Sequence, residues 1–420
     1  MAHLWRTAGG LLSGRGKATT VAAPIDPVPG DVSRDTSADA STDDQVTASA
    51  NAAANTSFTP VRAQSADRAP SYTVNRPGPH ASRERFVQES VPEHAIPHPS
   101  EPIPVQGPGL GTGLRRTIGD SDLDVFPVVL GGSVFGWTVD PDTTVDILDG
   151  FHDYGGNMVD TADSYAGGRS EILIGNWMRK RKNRDEMIVA TKVGRHPDFA
   201  GLGPVSIVRA VEAALERLGT DHIDLLSFHE DDPSVPLADS LGTVDWLIET
   251  GKVRYLGASN FSAERLIEAR ILSASGYTKF VALQTHYSLM HREAYEGGLS
   301  LVTTAQNIGV LPYFTLAGGF LTGRYRSRAD LDQTARGARV ASHLHRRGLR
   351  LLHVLDEIAG ENHCSLASVA LAWTLTRPGV AAPIAAASRP EHVDALVAAA
   401  ALRLSRGQIL ELDRISDRLR

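Results

Sequence analysis

Short hydrophobic runs alternate with amphipathic segments from about residue 117 onward. Runs such as 187–190 and Ile223–Phe228 have the length and composition of buried strands. The segment 204–218 instead carries apolar residues three and four positions apart, and Gly219 follows it as a typical helix C-cap. The alternation predicts repeated strand-then-helix units over most of the chain.

Eight such units can be assigned. We predict strands at 126–130, 158–159, 187–190, 223–228, 253–257, 280–283, 310–314 and 382–386. We predict helices from Asp140-Pro141 to Gly155, at 170–183, 204–218, 237–249, 263–272, 292–306 and 365–376, from near Pro390, and at 405–418. A longer stretch without an assigned element precedes the helix at 365–376.

Strands that alternate with helices predict a parallel sheet, because parallel neighbours need crossover connections. Eight units close naturally into an α/β fold of the (β/α)8, or TIM, barrel type. The alternative is an open doubly wound sheet, which would be expected to carry a Gly-rich dinucleotide motif after its first strand. Residues 131–136 lack that glycine spacing, so we expect any nucleotide to be held differently.

The first 112 residues differ in composition from the rest of the chain. They hold 13 of the 23 prolines, are rich in Ala, Ser, Thr and Asp, and show no sustained apolar period. Such a segment buries too little apolar surface to offset its ordering entropy. We therefore predict a disordered extension over 1–112 and a barrel over 113–420, and we favour no function for residues 1–16.

Charge and cysteine content exclude several classes of protein. The formal net charge is −7, and the short basic run at 179–182 is better explained as the end of a helix than as a nucleic-acid contact. No apolar run approaches a membrane span. Cys364 is the single cysteine and cannot form an internal disulfide. We expect a cytoplasmic protein that acts on a small molecule, and the oligomeric state is left open.

Polar residues end three successive predicted strands. Asp160, Lys192 and His229 lie one strand-helix unit apart, and Tyr165 lies on the loop after Asp160. In a barrel, the carboxyl ends of the strands form the active site, and neighbouring strands are roughly 4.8 Å apart. We therefore expect these four side chains to converge at the mouth.

Together, the four residue types suggest a general acid for carbonyl reduction. A free phenol has a pKa near 10, and a nearby ammonium would lower the pKa of Tyr165. Asp160 would keep Lys192 charged, and His229 would orient the substrate oxygen. Each residue alone has an ordinary structural explanation; the joint placement favours catalysis.

At this point the sequence resembles the aldo-keto reductase family. The resemblance covers about 115–420 and rests on six segments in order: GNMVDTADSY (156–165), SEILIG (170–175), ATKVG (190–194), DLLSFH (224–229), GKVRYLGASNF (251–261) and LAGGFLTGRY (316–325). It implies an NADP-linked oxidoreductase in which Asp160, Tyr165, Lys192 and His229 are catalytic, and in which no metal site is assigned.

The resemblance also implies further site residues. Ser259, Asn260 and Gln284 would bind the nicotinamide carboxamide, and Tyr313 would stack on the ring. Three residues, Thr315, Leu316 and Gly318, would lie along the pyrophosphate. Trp137 would wall the substrate pocket. Ser259 and Asn260 have the alternative role of capping the helix that follows.

The adenosine end departs from the family pattern. The family often has Gly, Gln and Glu-Asn where this chain has Ala386, His392 and Ala395-Leu396. Ser388 and Arg389 remain at a helix start, where a 2′-phosphate could bind, so NADP is favoured over NAD. The alternative for Arg389 is a surface position. The loop after Tyr165 is short, which predicts a broad pocket.

Two other functions stay open from the sequence. One is a non-catalytic nucleotide sensor or partner-binding barrel, resembling the potassium-channel β subunits of the family. The other is a lyase in which Lys192 forms a Schiff base. Asp160 disfavours the lyase, because it keeps the lysine protonated.

Overall fold

The strands and helices follow the predicted alternation closely. The computed structural model describes residues 114–333 and 340–417, so the extension predicted for 1–112 lies outside the described residues. The strands are β1 (Arg116–Thr117), β2 (Asp124–Val125), β3 (Val129–Gly131), β4 (Met158–Asp160), β5 (Ile188–Val193), β6 (Ile223–Phe228), β7 (Val253–Ser259), β8 (Phe280–His286), β9 (Gly309–Tyr313) and β10 (Ile384–Ala385).

The α-helices pack outside these strands. They are α1 (Pro141–Asp153), α2 (Arg169–Arg181), α3 (Pro204–Leu218), α4 (Leu237–Glu249), α5 (Ala263–Ala274), α6 (Gly298–Ala305), α7 (Arg346–Glu361), α8 (Leu366–Leu375), α9 (His392–Ala401) and α10 (Arg406–Asp417). Among the described helices, none combines the length and apolar character of a membrane span.

Strands β3 to β10 form one parallel sheet that curls into a barrel. Its order is β10-β3-β4-β5-β6-β7-β8-β9. The two edges meet where Val310 pairs with Val380, with the Val310 amide 2.8 Å from the Gly379 carbonyl oxygen. The predicted (β/α)8 barrel is confirmed, and the open-sheet alternative is wrong.

A short antiparallel hairpin, β1 and β2, closes the amino end of the barrel. Its buried Ile118, Leu123 and Val125 pack on strand residues inside the barrel, among them Met158 and Leu225. Gly119, in the hairpin turn, has φ +49°, and a Cβ there would overlap the Val281 carbonyl. The sequence did not predict this hairpin, because two-residue strands leave no readable period.

Local signals explain where several helices begin and end. Asp140 caps α1 by accepting a 2.9 Å hydrogen bond from the Thr143 amide, and Pro141 occupies the first turn. At the end of α3, Gly219 adopts φ 64°, the left-handed conformation of a glycine C-cap. Both caps were predicted from the sequence.

Two helices differ from the prediction. Helix α6 begins at Gly298 rather than at 292, because a bridge between Ser288 and His291 and the turn at Gly297 keep the preceding residues out of helical geometry. Helix α7 occupies part of the stretch that had no assigned element. It buries Leu351, Leu355 and Ile358 in an apolar cluster that includes Phe320 and Trp373.

Two helical glycines give a matched test of packing. A Cβ at buried Gly175 in α2 would overlap the Leu218 backbone, whereas one at Gly150 in α1 would meet nothing within contact range. We expect Gly175→Ala to destabilise the fold by about 1–3 kcal/mol. Gly150→Ala should instead stabilise it by up to about 1 kcal/mol. Thermal unfolding midpoints measure both changes, and a neutral Gly175→Ala would show that α2 and α3 do not pack this closely.

Candidate active site

The predicted polar residues lie at the carboxyl ends of the barrel strands. Asp160 is the last residue of β4, Lys192 is the penultimate residue of β5, and His229 follows β6 directly. Ser259 ends β7, and Gln284 lies opposite it in β8. Parallel register therefore brings residues that are distant in the sequence to one mouth.

Lys192 and Asp160 form a buried ion pair. The Lys192 Nζ donates to both Asp160 carboxylate oxygens, at 2.9 and 2.7 Å, and to the Thr161 carbonyl oxygen at 2.7 Å. Each side chain of the pair is 3% exposed. Burial by itself lowers the pKa of Lys192, but Asp160 and Tyr165 outweigh it, so the net pKa is raised. The lysine stays charged.

Tyr165 stands beside this pair. Its Oη is 3.3 Å from the Lys192 Nζ, and its ring packs edge-on against His229 with centroids 6.0 Å apart. Burial raises the pKa of Tyr165 more than Lys192 lowers it, so the lowered pKa predicted from the sequence is wrong. The phenol is therefore protonated at neutral pH and is available as a proton donor.

His229 completes the four-residue group as a neutral ring. Burial, together with the charges of Lys192 and Arg195, holds the pKa of His229 well below its ordinary value of 6.5. Its Nδ1 has no hydrogen-bond partner among the described residues. A neutral imidazole can donate one hydrogen bond to an oxygen placed next to Tyr165.

Amide and hydroxyl groups lie on the other side of the mouth. Gln284 donates a 2.7 Å hydrogen bond to Asp160, which leaves the buried Gln284 Oε1 without a partner among the described residues. Asn260, at φ 58°, donates to the His229 carbonyl oxygen and accepts from the Tyr313 hydroxyl at 2.6 Å. The arrangement offers an acceptor and donors to a ligand amide.

The Tyr313 ring is supported by two histidines that the sequence did not single out. His286 stacks on Tyr313 with centroids 5.7 Å apart, and His291 stacks on His286 at 3.9 Å. Burial and the neighbouring His291 lower the pKa of His286 to about 3, so both rings stack without a charge on His286. The stack fixes the plane of Tyr313.

The residues expected at the diphosphate and adenosine lie at the β9 and β10 ends. Thr315 is buried, and its hydroxyl donates to the Ile384 carbonyl oxygen at 3.0 Å. Leu316 and Gly318 form the turn that follows, with Gly318 at φ 68°. Ser388 and Arg389 are exposed between β10 and α9. His392 accepts a hydrogen bond from the Ser388 amide, a contact that the sequence did not predict.

The substrate side of the mouth is open. Trp137, on the loop after β3, is 54% exposed at the rim. Arg195 and Glu230 form an ion pair on the loops after β5 and β6. Neither charged residue was predicted, because a loop residue shows no periodicity that would mark it as part of a site.

A second buried cluster lies under the Tyr165 loop. Glu171 accepts from the Thr191 hydroxyl at 2.5 Å and from Arg217 Nε at 2.6 Å. Asp163 is fully buried nearby. The backbone amides of Ser164 and His196 lie near its carboxylate, but no well-formed hydrogen bond reaches either oxygen from the described residues. Burial and then Glu171 raise the pKa of Asp163 to about 7.

Comparison with known proteins gives consistent matches. The model described as "Aldo/keto reductase family" matches residues 127–417. Norsolorinic acid reductase of Aspergillus flavus is 30% identical over 320 residues, 72% of this chain and 80% of the relative. An aldo-keto reductase of Fusarium vanettenii is 31% identical, covering 71% of this chain and 90% of the relative. A probable voltage-gated potassium channel subunit beta of Arabidopsis thaliana is 29% identical, covering 66% and 88%.

Asp163 predicts a specific dependence of stability on pH. The folded protein keeps the Asp163 proton up to about pH 7, whereas the unfolded chain loses it near the ordinary pKa of 3.8. Protonation therefore favours folding, and this contribution is lost as the pH rises through 7. Asp163→Asn should therefore stabilise the fold by about 1–2 kcal/mol at about pH 5 and by about 4 kcal/mol at about pH 8, because each pH unit between the two pKa values changes stability by about 1.4 kcal/mol.

Thermal unfolding midpoints of Asp163→Asn and wild type at the two pH values measure this difference. The exposed Asp146→Asn is the matched control, and it should leave both midpoints unchanged. An equal effect of Asp163→Asn at both pH values would mean that Asp163 titrates as an ordinary surface carboxylate.

Proposed function

The chain belongs to the aldo/keto reductase family, and on that premise we propose that it is an NADP-dependent carbonyl reductase with Tyr165 as its general acid and base. Family membership already makes it an oxidoreductase that acts on carbonyl groups. The proposal adds the cofactor and the residue roles. The observation that carries it is the buried chain of contacts from Asp160 through Lys192 to Tyr165.

The proton step follows from the order of these contacts. Tyr165 holds its Oη proton at neutral pH and donates it to the carbonyl oxygen of the substrate as that oxygen gains negative charge. Lys192, 3.3 Å away, stabilises the phenolate that is left, and Asp160 keeps Lys192 charged. His229 donates a hydrogen bond to the same oxygen and orients it. In the reverse direction, Tyr165 accepts the proton of an alcohol.

The chain offers a fitting place for a nicotinamide. A bound reduced nicotinamide would supply the hydride. The unpartnered Gln284 Oε1 is an acceptor of the kind that a carboxamide N–H requires, and Ser259 and Asn260 supply the adjoining polar groups. Tyr313, held by its histidine stack, would support the nicotinamide ring.

The outer part of the dinucleotide would follow the β9 and β10 ends. Thr315, Leu316 and Gly318 would lie along the pyrophosphate. Ser388 and Arg389 precede α9, where a cation and a helix start favour an extra phosphate. This favours NADP over NAD, and a cytoplasmic location remains a prediction from the sequence.

The two alternative functions, a nucleotide sensor and a Schiff-base lyase, have less support. Similarity to the Arabidopsis channel subunit favours a nucleotide sensor, yet the same residues that bind a nucleotide here adjoin a complete proton-donor group. The Schiff-base lyase requires an uncharged Lys192. Asp160 and Thr161 already accept from its ammonium, and the pKa of Lys192 is raised.

Tyr165→Phe removes the donated proton and keeps the ring. We expect kcat to fall by about 10²–10⁴-fold or more, the range for loss of a general acid, with nearly unchanged Kd for NADPH. Steady-state reduction of a panel of aldehydes and ketones, with a nicotinamide fluorescence titration, measures both quantities. Retained turnover would contradict the role of Tyr165. NADPH binding without turnover by the wild type would instead support the sensor.

Arg389→Gln tests the choice of cofactor. Loss of a charge-assisted hydrogen bond to the 2′-phosphate should weaken NADPH binding about 10-fold and leave NADH binding unchanged. Fluorescence titration with both nucleotides gives the two Kd values. The exposed Arg403, between α9 and α10, serves as the control for loss of a positive charge. Equal losses for both nucleotides would contradict the proposed phosphate contact.

A further inference from the structure

We propose that Arg195 binds an anionic group of the substrate, so that the preferred carbonyl substrates carry a carboxylate or a similar negative charge. The inference rests on the proposed function, since it deepens the assignment of the same pocket. It follows from the position of the guanidinium, from its ion pair with Glu230, and from its donors that have no partner among the described residues.

The position of Arg195 is set by the barrel. It lies three residues after Lys192, beyond the end of β5, and Glu230 follows His229 beyond the end of β6. Strands β5 and β6 are paired neighbours, with Lys192 opposite Ser227. The ion pair of Arg195 and Glu230 therefore lies just beyond the two strand ends that carry Lys192 and His229.

The charge of Arg195 changes the pKa values of three groups around the mouth. Burial raises the pKa values of Tyr165 and Tyr313, and Arg195 acts against it on both phenols. Burial and then Lys192 and Arg195 lower the pKa of His229. Because charge interactions weaken with distance, a group that acts on all three lies close to each of them and so near the space between them. That space is where a substrate carbonyl must sit to reach Tyr165.

Glu230 holds one edge of the guanidinium and leaves donors for a ligand. Arg195 Nη2 donates to Glu230 Oε2, while Nε and Nη1 have no partner among the described residues. The side chain is 32% exposed, so it is only partly covered. An arginine fork matches the geometry of a carboxylate, and Glu230 fixes its orientation in advance.

Lys192 and Arg389 do not compete for this role. Lys192 is held by Asp160 and the Thr161 carbonyl oxygen. Arg389 follows β10, which is separated from β5 by β3 and β4 in the sheet order. Arg195 is thus placed for the substrate rather than for the adenosine phosphate. If Arg195 and Glu230 formed only a surface ion pair, replacing Arg195 would not change which substrate the protein prefers.

The test uses the full-length chain with NADPH and two matched aldehydes, 4-formylbenzoate and its methyl ester. Wild type should favour the carboxylate in kcat/KM. Arg195→Gln should lower the ratio of the two kcat/KM values by about 10-fold or more, mainly through KM of the carboxylate, because the lost contact is a charge-assisted hydrogen bond. Arg195→Lys should restore part of the ratio, since it keeps the charge without the fork.

Arg181→Gln is the matched control. Arg181 also forms an ion pair with a carboxylate, Asp149, but at the far end of the barrel, so the ratio should not change. A ratio that is unchanged in Arg195→Gln overturns the proposal. An equal fall in kcat/KM for both aldehydes, together with a shifted pH profile, also overturns the proposal. Arg195 would then act on Tyr165 rather than on the substrate.

A binding measurement separates failure of the proposal from failure of the proposed function. Calorimetric titration of 4-methylbenzoate, which has no hydroxyl group to oxidise, into the wild type and Arg195→Gln, each with bound NADP⁺, needs no turnover. A Kd at least about 10-fold weaker in the variant supports the anion site even if neither aldehyde is reduced. Equal Kd values in the two proteins overturn the anion site and leave the general acid role of Tyr165 untouched.

Discussion

Two opposite charges are buried side by side where β4 and β5 end, and the rest of the site depends on this pair. Removing either charge from water is unfavourable unless the partner and further hydrogen bonds compensate. Here the compensation comes from Asp160, from the Thr161 carbonyl and from Gln284. All of these positions are fixed by parallel register between strands. The barrel therefore holds the Lys192 ammonium 3.3 Å from the Tyr165 hydroxyl.

Residues at the strand ends and residues on the loops have different roles in the site. Strand ends carry the groups that must be held rigidly: Asp160, Lys192, Ser259 and Gln284. Loops carry Tyr165, Arg195 and Trp137, the residues that we propose meet the substrate. Asp163, two residues before Tyr165, is buried under the loop near Glu171 and Arg217. The loop that carries Tyr165 thus packs on a second buried polar cluster.

Elements with strong local signals were the ones that could be predicted from the sequence. Strand β6 and helix α4 have the predicted bounds, and Asp140 and Gly219 cap α1 and α3. Helix α7 escaped prediction because His345 caps it, and histidine is not a usual start signal. The four-residue group followed from the unit spacing. The ion pair of Arg195 with Glu230 and the burial of Asp163 depend on contacts between loops, which no periodicity records.

The hairpin of β1 and β2 has a consequence for how ligands move. Its apolar side chains fill the barrel interior at the amino end, so the site has a sealed floor. A molecule that reaches Tyr165 must leave by the opening through which it came. Substrate and product therefore share one opening, and a product that dissociates slowly delays the next turnover.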